Sequence, residues 1–355
     1  MAVKKKADTE TSSGGIHPAA LALLKDFDKE YSGAVVTIDN PKFDVHRVPT
    51  GVHSLDKILD GGLPIGKLIE IFGPEMSGKT SLALQAAKTV MFLPENLDKL
   101  VLFADAETSL DHDMVCEKYG LDPKRVRIVR QSSEIHAEKI LDIVLAASSN
   151  PGFCLVILDS IAALIPMAEE EKSFEQGSMA ATRAALIHRA CRKIFRDGTL
   201  CPVIFLNQIQ DKIGYMGHGD STTTPGGKGP KFYASLRLKL TRVKTLKPNK
   251  DAAPSGFVVQ AKAVKARYSR AEQVADFVVD YALGIDTVMS AATLGIQYGI
   301  VLKSGAWLTL FEQRYQGMPA LCDALRADPA LLADLQNNLE LAAQAGEDGG
   351  PETDA

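Results

Sequence analysis

Residues 73–80, GPEMSGKT, have the residue types and spacing of a phosphate-binding loop. Gly73, Gly78, Lys79 and Thr80 fill the pattern G-x-x-x-x-G-K-[ST], between an apolar strand-like run and a helix-like run. Backbone N–H groups of residues 75–80 are expected to cradle phosphate oxygens at a helix N-terminus, where the helix dipole favours negative charge. Lys79 would reach the β- and γ-phosphates, and the Thr80 hydroxyl would hold Mg²⁺. The predicted nucleotide contacts in this loop are Gly73, Pro74, Glu75, Met76, Ser77, Gly78, Lys79, Thr80 and Ser81.

Two further acidic residues come at the ends of apolar strand-like runs. Asp159 ends LVILD and is the predicted second magnesium anchor, because ligands bind at the carboxyl edge of a parallel sheet. Glu107 ends VLFADAE and is the candidate base or orienting group for an attacking water. Capping of the next helix is the alternative role for Asp159, and a lone glutamate at position 107 is equally compatible with a surface residue.

The elements around these residues indicate an α/β fold. Apolar runs of strand length alternate with helical stretches, which predicts a mostly parallel sheet buried on both faces. The strand-like runs are KLIEIFG, KLVLFADAE, RVRIV, FCLVILDS and PVIFLNQ, and three more, SLRLKLTRV, GFVVQAKAVKA and AEQVADFVVDYA, are expected to extend the sheet.

The composition of the chain argues against several classes of protein. The 355 residues are 46% hydrophobic and 24% charged, which is typical of a globular protein with a sizeable core. The net charge of −4 excludes a generally basic nucleic-acid binder, so any such binding needs a local patch. No apolar run is as long as a membrane span, and the polar N-terminus lacks the apolar region of a secretory signal. Five scattered cysteines without a CxxC pair argue for the cytoplasm and against a zinc module.

The stretch after PVIFLNQ has a different character. Residues 210–230 contain six glycines, three consecutive threonines and two lysines, and they show no helical or strand periodicity. A loop of this length inside a compact domain is either functional or a disordered linker, and composition leaves both open.

The ordered set GPEMSGKT, DAE, LVILDS, NQI and TTTPGGKGPKFYAS resembles the RecA family of recombinases. The resemblance runs from about residue 19 to residue 328. It implies a RecA-like ATPase core that uses ATP and Mg²⁺. It also implies binding of single-stranded DNA and then homologous double-stranded DNA, a helical filament of identical protomers, and loader or single-strand-binding proteins as further partners.

The resemblance also assigns roles along the chain. Residues 166–179 and 210–230 would be two DNA-binding loops, and Gln208 would sense the γ-phosphate. Lys265 and Arg267 would reach the ATP of a neighbouring protomer, and Phe232 would lie in that interface. The implied DNA contacts are Met179, Lys212, Ile213, Gly214, Met216, Thr222, Thr223, Gly226, Gly227 and Lys228.

Three positions depart from the family pattern. Met114 stands where the family has an aromatic residue that stacks on adenine, three residues after the aspartate matching Asp111. Gln210 replaces an arginine of the second loop, and residues 169–172, EEEK, leave the register of the first loop open. Arg183 is equally compatible with a DNA contact and a surface position. These departures indicate a divergent member, and a phage origin is one explanation.

Five segments are expected along the chain. They are a disordered lead (1–14), an N-terminal oligomerisation segment (15–45), the ATPase core (46–285), a small C-terminal domain (286–345) and an acidic tail (346–355). The predicted activity is DNA-dependent ATP hydrolysis coupled to strand exchange. The alternatives are a ring-forming helicase or other DNA-dependent ATPase of the same fold, and a non-hydrolysing adaptor.

Overall fold

The computed structural model describes residues 17–31, 38, 44–170, 180–211, 222–247 and 251–348. The chain divides into two compact units, residues 1–45 and residues 46–355. In the first unit, helix α1 spans Pro18–Tyr31, where the spacing of apolar residues predicts a helix, and none of its residues is buried.

The second unit is organised around one large mixed sheet. Its strand order is β13-β12-β11-β10-β3-β7-β6-β4-β5, in which the run from β10 to β5 is parallel and β11, β12 and β13 are antiparallel to their neighbours. The strands of this sheet are β3 (Leu68–Gly73), β4 (Leu100–Asp105), β5 (Val126–Arg130), β6 (Phe153–Asp159), β7 (Val203–Gln208), β10 (Leu236–Leu246), β11 (Gly256–Ala266), β12 (Val274–Asp280) and β13 (Gly284–Asp286).

Short strands form three smaller sheets. They are β1 (Arg47–Val48) with β2 (Leu63–Pro64), β8 (Gln210–Asp211) with β9 (Thr222–Thr223), and β14 (Leu302–Ser304) with β15 (Trp307–Leu310) and β16 (Gln313–Gln316). The α-helices of the second unit are α2 (His53–Ile58), α3 (Lys79–Met91), α4 (Ala137–Ser148), α5 (Met167–Glu170), α6 (Ala180–Asp197), α7 (Gly229–Tyr233), α8 (Thr287–Gln297), α9 (Gly317–Ala327) and α10 (Pro329–Asp348).

Both faces of the parallel sheet are covered, which confirms the predicted fold class. Leu84 and Val90 of α3 belong to the apolar cluster on one face, whereas Ile140 of α4 and Ile187 of α6 belong to the cluster on the other. Strand residues buried on two sides need apolar side chains at most successive positions, so β3, apart from Glu70, and β6, up to Asp159, are continuous apolar runs. The three runs expected to extend the sheet are β10, β11 and β12, as predicted.

The C-terminal part of the second unit has its own apolar cluster, which includes Ala291, Leu308, Leu321 and Leu335. Helix α10 continues to Asp348 and so includes the first residues of the predicted acidic tail. Residues 349–355 lie outside the described part of the chain. No helix among the described residues combines the length and hydropathy required to cross a membrane.

A buried carboxylate fixes the turn before α2. Asp56 accepts hydrogen bonds from Thr50 N (2.7 Å), Thr50 Oγ1 (2.7 Å) and Gly51 N (3.1 Å). Burial raises the pKa of Asp56 to about 6, against the opposing effect of these three donors.

Candidate nucleotide site

Four parallel strands end at one edge of the sheet and open a cleft of about 350 Å³. The phosphate loop follows β3, Glu107 follows β4, Asp159 ends β6 and Gln208 ends β7. The structure therefore brings together predicted residues that are up to 135 positions apart, from Gly73 to Gln208. The cleft is lined by Glu75, Met76, Ser77, Gly78, Lys79, Thr80, Ser81, Glu107, Lys118, Asp159, Gln208, Phe257, Val279 and Tyr281.

The glycines of the loop are required by its geometry. Gly78 has φ +90° and immediately precedes α3, so a side chain there would be strained. A Cβ atom on Gly73 would lie 2.4 Å from the Leu240 carbonyl oxygen and 2.6 Å from Ser77 Oγ. The sequence pattern thus reflects a loop that turns tightly between β3 and α3 while keeping its amides free of side chains.

Lys79 folds back over this loop. Its Nζ atom donates to Gly73 O (3.2 Å) and Pro74 O (2.7 Å). Burial lowers the pKa of Lys79, and the charges of Asp159, Glu107 and Glu75 oppose that shift. The amine is thereby held beside the N-terminus of α3, where a bound anion would contact both the amine and the backbone N–H groups of the loop.

The residues present fit a magnesium–triphosphate group. Thr80 Oγ1 donates to Asp159 Oδ2 (2.7 Å), which places the two predicted magnesium ligands side by side. Ser77 Oγ is buried and has no hydrogen-bond partner, so the loop contains an unsatisfied polar atom. Burial raises the pKa of Asp159 to about 6, so a bound cation would stabilise its charged form.

Within the described residues, no group of three or more His, Cys, Asp or Glu side chains is arranged to hold a metal ion. A cation at Thr80 and Asp159 would therefore complete its coordination with phosphate oxygens and water. Mg²⁺ is usually bound in this way, through one or two protein ligands and substrate phosphates.

Glu107 connects the ends of two strands. Its Oε1 atom accepts from Gln208 Nε2 (3.2 Å) at the end of β7 and from Ser160 Oγ directly after β6. Asp105, which is fully buried, supports this loop by accepting from Ser109 N (3.0 Å) and from Arg130 Nε (3.0 Å). The carboxylate of Glu107 is thus held by contacts from the ends of β6 and β7, and it lines the cleft together with Asp159.

Part of the cleft is apolar and aromatic, and the sequence reasoning missed it. Tyr281 and Phe257 have ring centroids 5.7 Å apart, and Lys118 Nζ donates to Tyr281 O (2.8 Å). Tyr281 directly follows β12, so an aromatic residue at the end of a strand-like run was the sequence feature that could have predicted it.

Asp111 and Met114 are not among the lining residues. The Asp111 carboxylate accepts from Met114 N (2.7 Å), and Met114 packs against the core, so their contact with a base stays a prediction.

Lys265 and Arg267 lie at the other edge of the sheet. Strand β11 is antiparallel to β10, and Ala266 pairs with Leu236 near the start of β3. Lys265 Nζ donates to Phe232 O (2.8 Å), and Arg267 Nη2 donates to the same oxygen (3.1 Å). The Phe232 side chain is 63% exposed. These three residues are therefore grouped together and away from the cleft of their own chain.

Comparison with known proteins decides the family. The family model described as the RecA N-terminal domain matches residues 19–286. The chain belongs to the RecA family of recombinases. It is 36% identical to Protein RecA of Pseudarthrobacter chlorophenolicus over 321 residues, which cover 89% of this chain and 88% of that protein. It is 35% identical to Protein RecA of Corynebacterium glutamicum (strain R) over 352 residues, covering 96% and 89%. A weaker match, to the crystal structure of the RadB recombinase, has 23% identity and a TM-score of 0.48 over 67% of this chain and 98% of that one, and the assignment does not depend on it.

The two predicted DNA-binding loops are described only in part. Met179, Lys212, Ile213, Gly214 and Met216 lie outside the described residues, as do 171–178 and 217–221. Gln210 pairs with Thr223 and Asp211 pairs with Thr222, which joins the two ends of the second segment. Gly226 and Gly227 have φ +88° and +68° and form the turn before Lys228 and α7.

Proposed function

We propose that this member of the RecA family is a DNA-dependent ATPase that assembles on single-stranded DNA and pairs it with homologous duplex. One observation carries this proposal. Residues 75–80, Glu107, Asp159 and Gln208 line one cleft, and the glycine-rich segment 210–230 begins two residues after Gln208. Chemistry at a terminal phosphate bound there would be adjacent to a segment with the composition of a DNA-binding loop.

The triphosphate would lie along residues 75–80. Lys79 already directs its amine at two carbonyl oxygens of the loop, and phosphate oxygens would replace these acceptors. Thr80 and Asp159 would hold Mg²⁺, which supplies charge neutralisation between the β- and γ-phosphates. The aromatic part of the cleft, with Phe257 and Tyr281, offers an apolar surface for the base.

Glu107 and Gln208 would have separate roles, in proton transfer and in sensing the γ-phosphate. Glu107 would accept a proton from the attacking water, because it is the carboxylate at the end of β4 that faces the cleft beside Asp159. Gln208 bonds Glu107 in this structure, and its amide would exchange that carboxylate for a γ-phosphate oxygen when ATP is bound. The exchange would move the end of β7, from which segment 210–230 continues.

The site would be completed by a neighbouring protomer. Lys265 and Arg267 lie at the sheet edge opposite the cleft of their own chain, which supports a role at another chain's nucleotide. In this structure their cations bond the carbonyl oxygen of Phe232. The exposed Phe232 ring would pack against the neighbour in a filament, and the two cations would then transfer to its phosphates.

DNA would be held mainly through its backbone. Lys228 with Gly226 and Gly227 can approach phosphates closely, and Thr223 and Lys231 are hydrogen-bonded to each other (2.7 Å) at the end of the segment. The five cysteines are all free, which suits the reducing cytoplasm in which we expect the protein to act.

The deciding measurement is phosphate release with and without single-stranded DNA at low salt. Turnover is expected to rise strongly on adding an oligothymidylate. Unstimulated hydrolysis with closed rings in electron micrographs would favour a ring-forming helicase. The absence of phosphate release under all conditions would favour a non-hydrolysing adaptor.

A further inference from the structure

Asn207 makes hydrogen bonds in three directions from a fully buried position. Its Nδ2 atom donates to Glu70 Oε1 (2.8 Å) and to Pro225 O (3.0 Å), and its Oδ1 atom accepts from Gln208 N (3.0 Å). Both protons of the amide and its oxygen are therefore used. The side chain connects Gln208, which lines the cleft, with Pro225, which belongs to residues 222–230, here called the far end of segment 210–230.

The direction of this amide is set by Glu70, which lies on β3 and is also fully buried. Glu70 Oε2 accepts from Arg237 Nε (2.5 Å), and the Arg237 guanidinium lies 4.6 Å from the centre of the Phe72 ring. Because Glu70 Oε2 already accepts from the Arg237 guanidinium, Oε1 is the acceptor that Glu70 offers to Asn207. Asn207 must then present its NH₂ group to Glu70, and this leaves the second proton for Pro225.

We propose that Asn207 is a positioning residue that transmits the state of Gln208 to the far end of segment 210–230, and that Glu70 fixes the orientation in which it does so. The inference rests on the proposed nucleotide-dependent DNA binding. The near end of the segment follows Gln208 directly along the chain. Besides the pairing of Gln210 with Thr223, the far end is connected to Gln208 through the Asn207 side chain, which bonds the Gln208 amide and the Pro225 carbonyl at the same time. A shift of Gln208 therefore moves both ends of the segment together.

A pair of substitutions separates this role from simple packing. In Asn207→Asp, two carboxylates would meet in a buried site and no donor would reach Pro225 O. In the double variant Glu70→Gln with Asn207→Asp, the donor and the acceptor are exchanged. The introduced glutamine can accept from Arg237 and donate to the introduced aspartate, which still accepts from Gln208 N. The buried network is repaired, but the hydrogen bond to Pro225 O is not.

The main measurement is the affinity for a fluorescent oligothymidylate in the presence of a slowly hydrolysed ATP analogue, divided by the same affinity in the presence of ADP. We call this quotient the DNA-affinity ratio. The Tm and the affinity for the analogue are measured as well. We expect the double variant to recover most of the Tm lost in Asn207→Asp. Its affinity for the analogue should stay within about threefold of wild type, while its DNA-affinity ratio falls at least tenfold. Asn96→Asp is the matched control, because Asn96 is a buried asparagine that donates to Val90 O (2.9 Å) at a site remote in sequence from the segment. Asn96→Asp should lower the Tm and leave the ratio unchanged.

Two results would overturn the inference in distinguishable ways. If the double variant recovers both the Tm and the wild-type ratio, Asn207 serves packing alone and the proposed function stands. If wild type itself shows a ratio near one, the proposed function fails and the inference fails with it.

Discussion

Replacing Glu107 by glutamine tests the chemistry of the cleft with little disturbance of the fold. Glu107 is exposed, and its Oε1 atom acts only as an acceptor, for Ser160 Oγ and Gln208 Nε2. A glutamine oxygen can accept both bonds, so Glu107→Gln should fold normally and retain nucleotide. It cannot take a proton from water. General-base catalysis contributes about 10²- to 10⁴-fold, which corresponds to about 3–5 kcal/mol of activation free energy.

The assay is phosphate release at saturating ATP with an oligothymidylate, accompanied by a binding measurement with the slowly hydrolysed analogue. Turnover should fall at least about a hundredfold, while analogue-dependent DNA binding persists. Glu95→Gln is the matched control, because Glu95 is an exposed acid that is not among the residues lining the cleft, and it should leave turnover unchanged. Turnover of Glu107→Gln within about threefold of wild type would refute the assignment and place the base elsewhere.

Other predictions follow from the same geometry. Lys79→Ala should abolish nucleotide binding measured by calorimetry while leaving the circular dichroism spectrum unchanged, and an unaltered affinity would exclude the site. Gly78→Ala should weaken nucleotide binding about five- to thirtyfold, since φ +90° costs an alanine about 1–2 kcal/mol and its Cβ would lie 3.3 Å from Val259 Cγ2. Phe232→Ala should prevent assembly in sedimentation experiments while single protomers still bind the ATP analogue, and normal filaments would contradict the proposed interface. Asp56 has a pKa of about 6 in the folded state and an ordinary pKa of 3.8, so its protonated form is favoured by folding. This stabilises the folded protein below about pH 4, and the stabilisation is lost as the pH rises through 6. In urea unfolding experiments, the free energy of unfolding of wild type should therefore fall by up to about 3 kcal/mol relative to that of Asp56→Asn between pH 4 and pH 7. If the two proteins have parallel profiles of unfolding free energy against pH, the pKa of Asp56 is not raised.

Local sequence determines the parts of the site that depend on neighbouring residues. The phosphate loop is recognisable because its glycines, lysine and threonine act within eight positions, and the structure places α3 directly after Gly78. The strands are recognisable because burial on two faces requires uninterrupted apolar runs. Since parallel strands share a carboxyl edge, the ends of those runs also predicted that Glu107 and Asp159 would lie at one edge, whereas Gln208 was predicted from the family resemblance.

The tertiary structure decides what depends on strand order and direction. Tyr281 joins the cleft because β12 is paired through β11 and β10 so that it runs in the same direction as β3, and no local pattern gives that pairing. Because β11 is antiparallel to β10, its C-terminal end, with Lys265 and Arg267, lies at the edge of the sheet opposite the cleft. Glu70 is an acid within an apolar strand, and only the approach of Arg237 and Asn207 explains why it is tolerated there. Strand runs and loop motifs are thus set by short-range chemistry, whereas the partners of buried charges and the edge at which a side chain acts are set by the folded sheet.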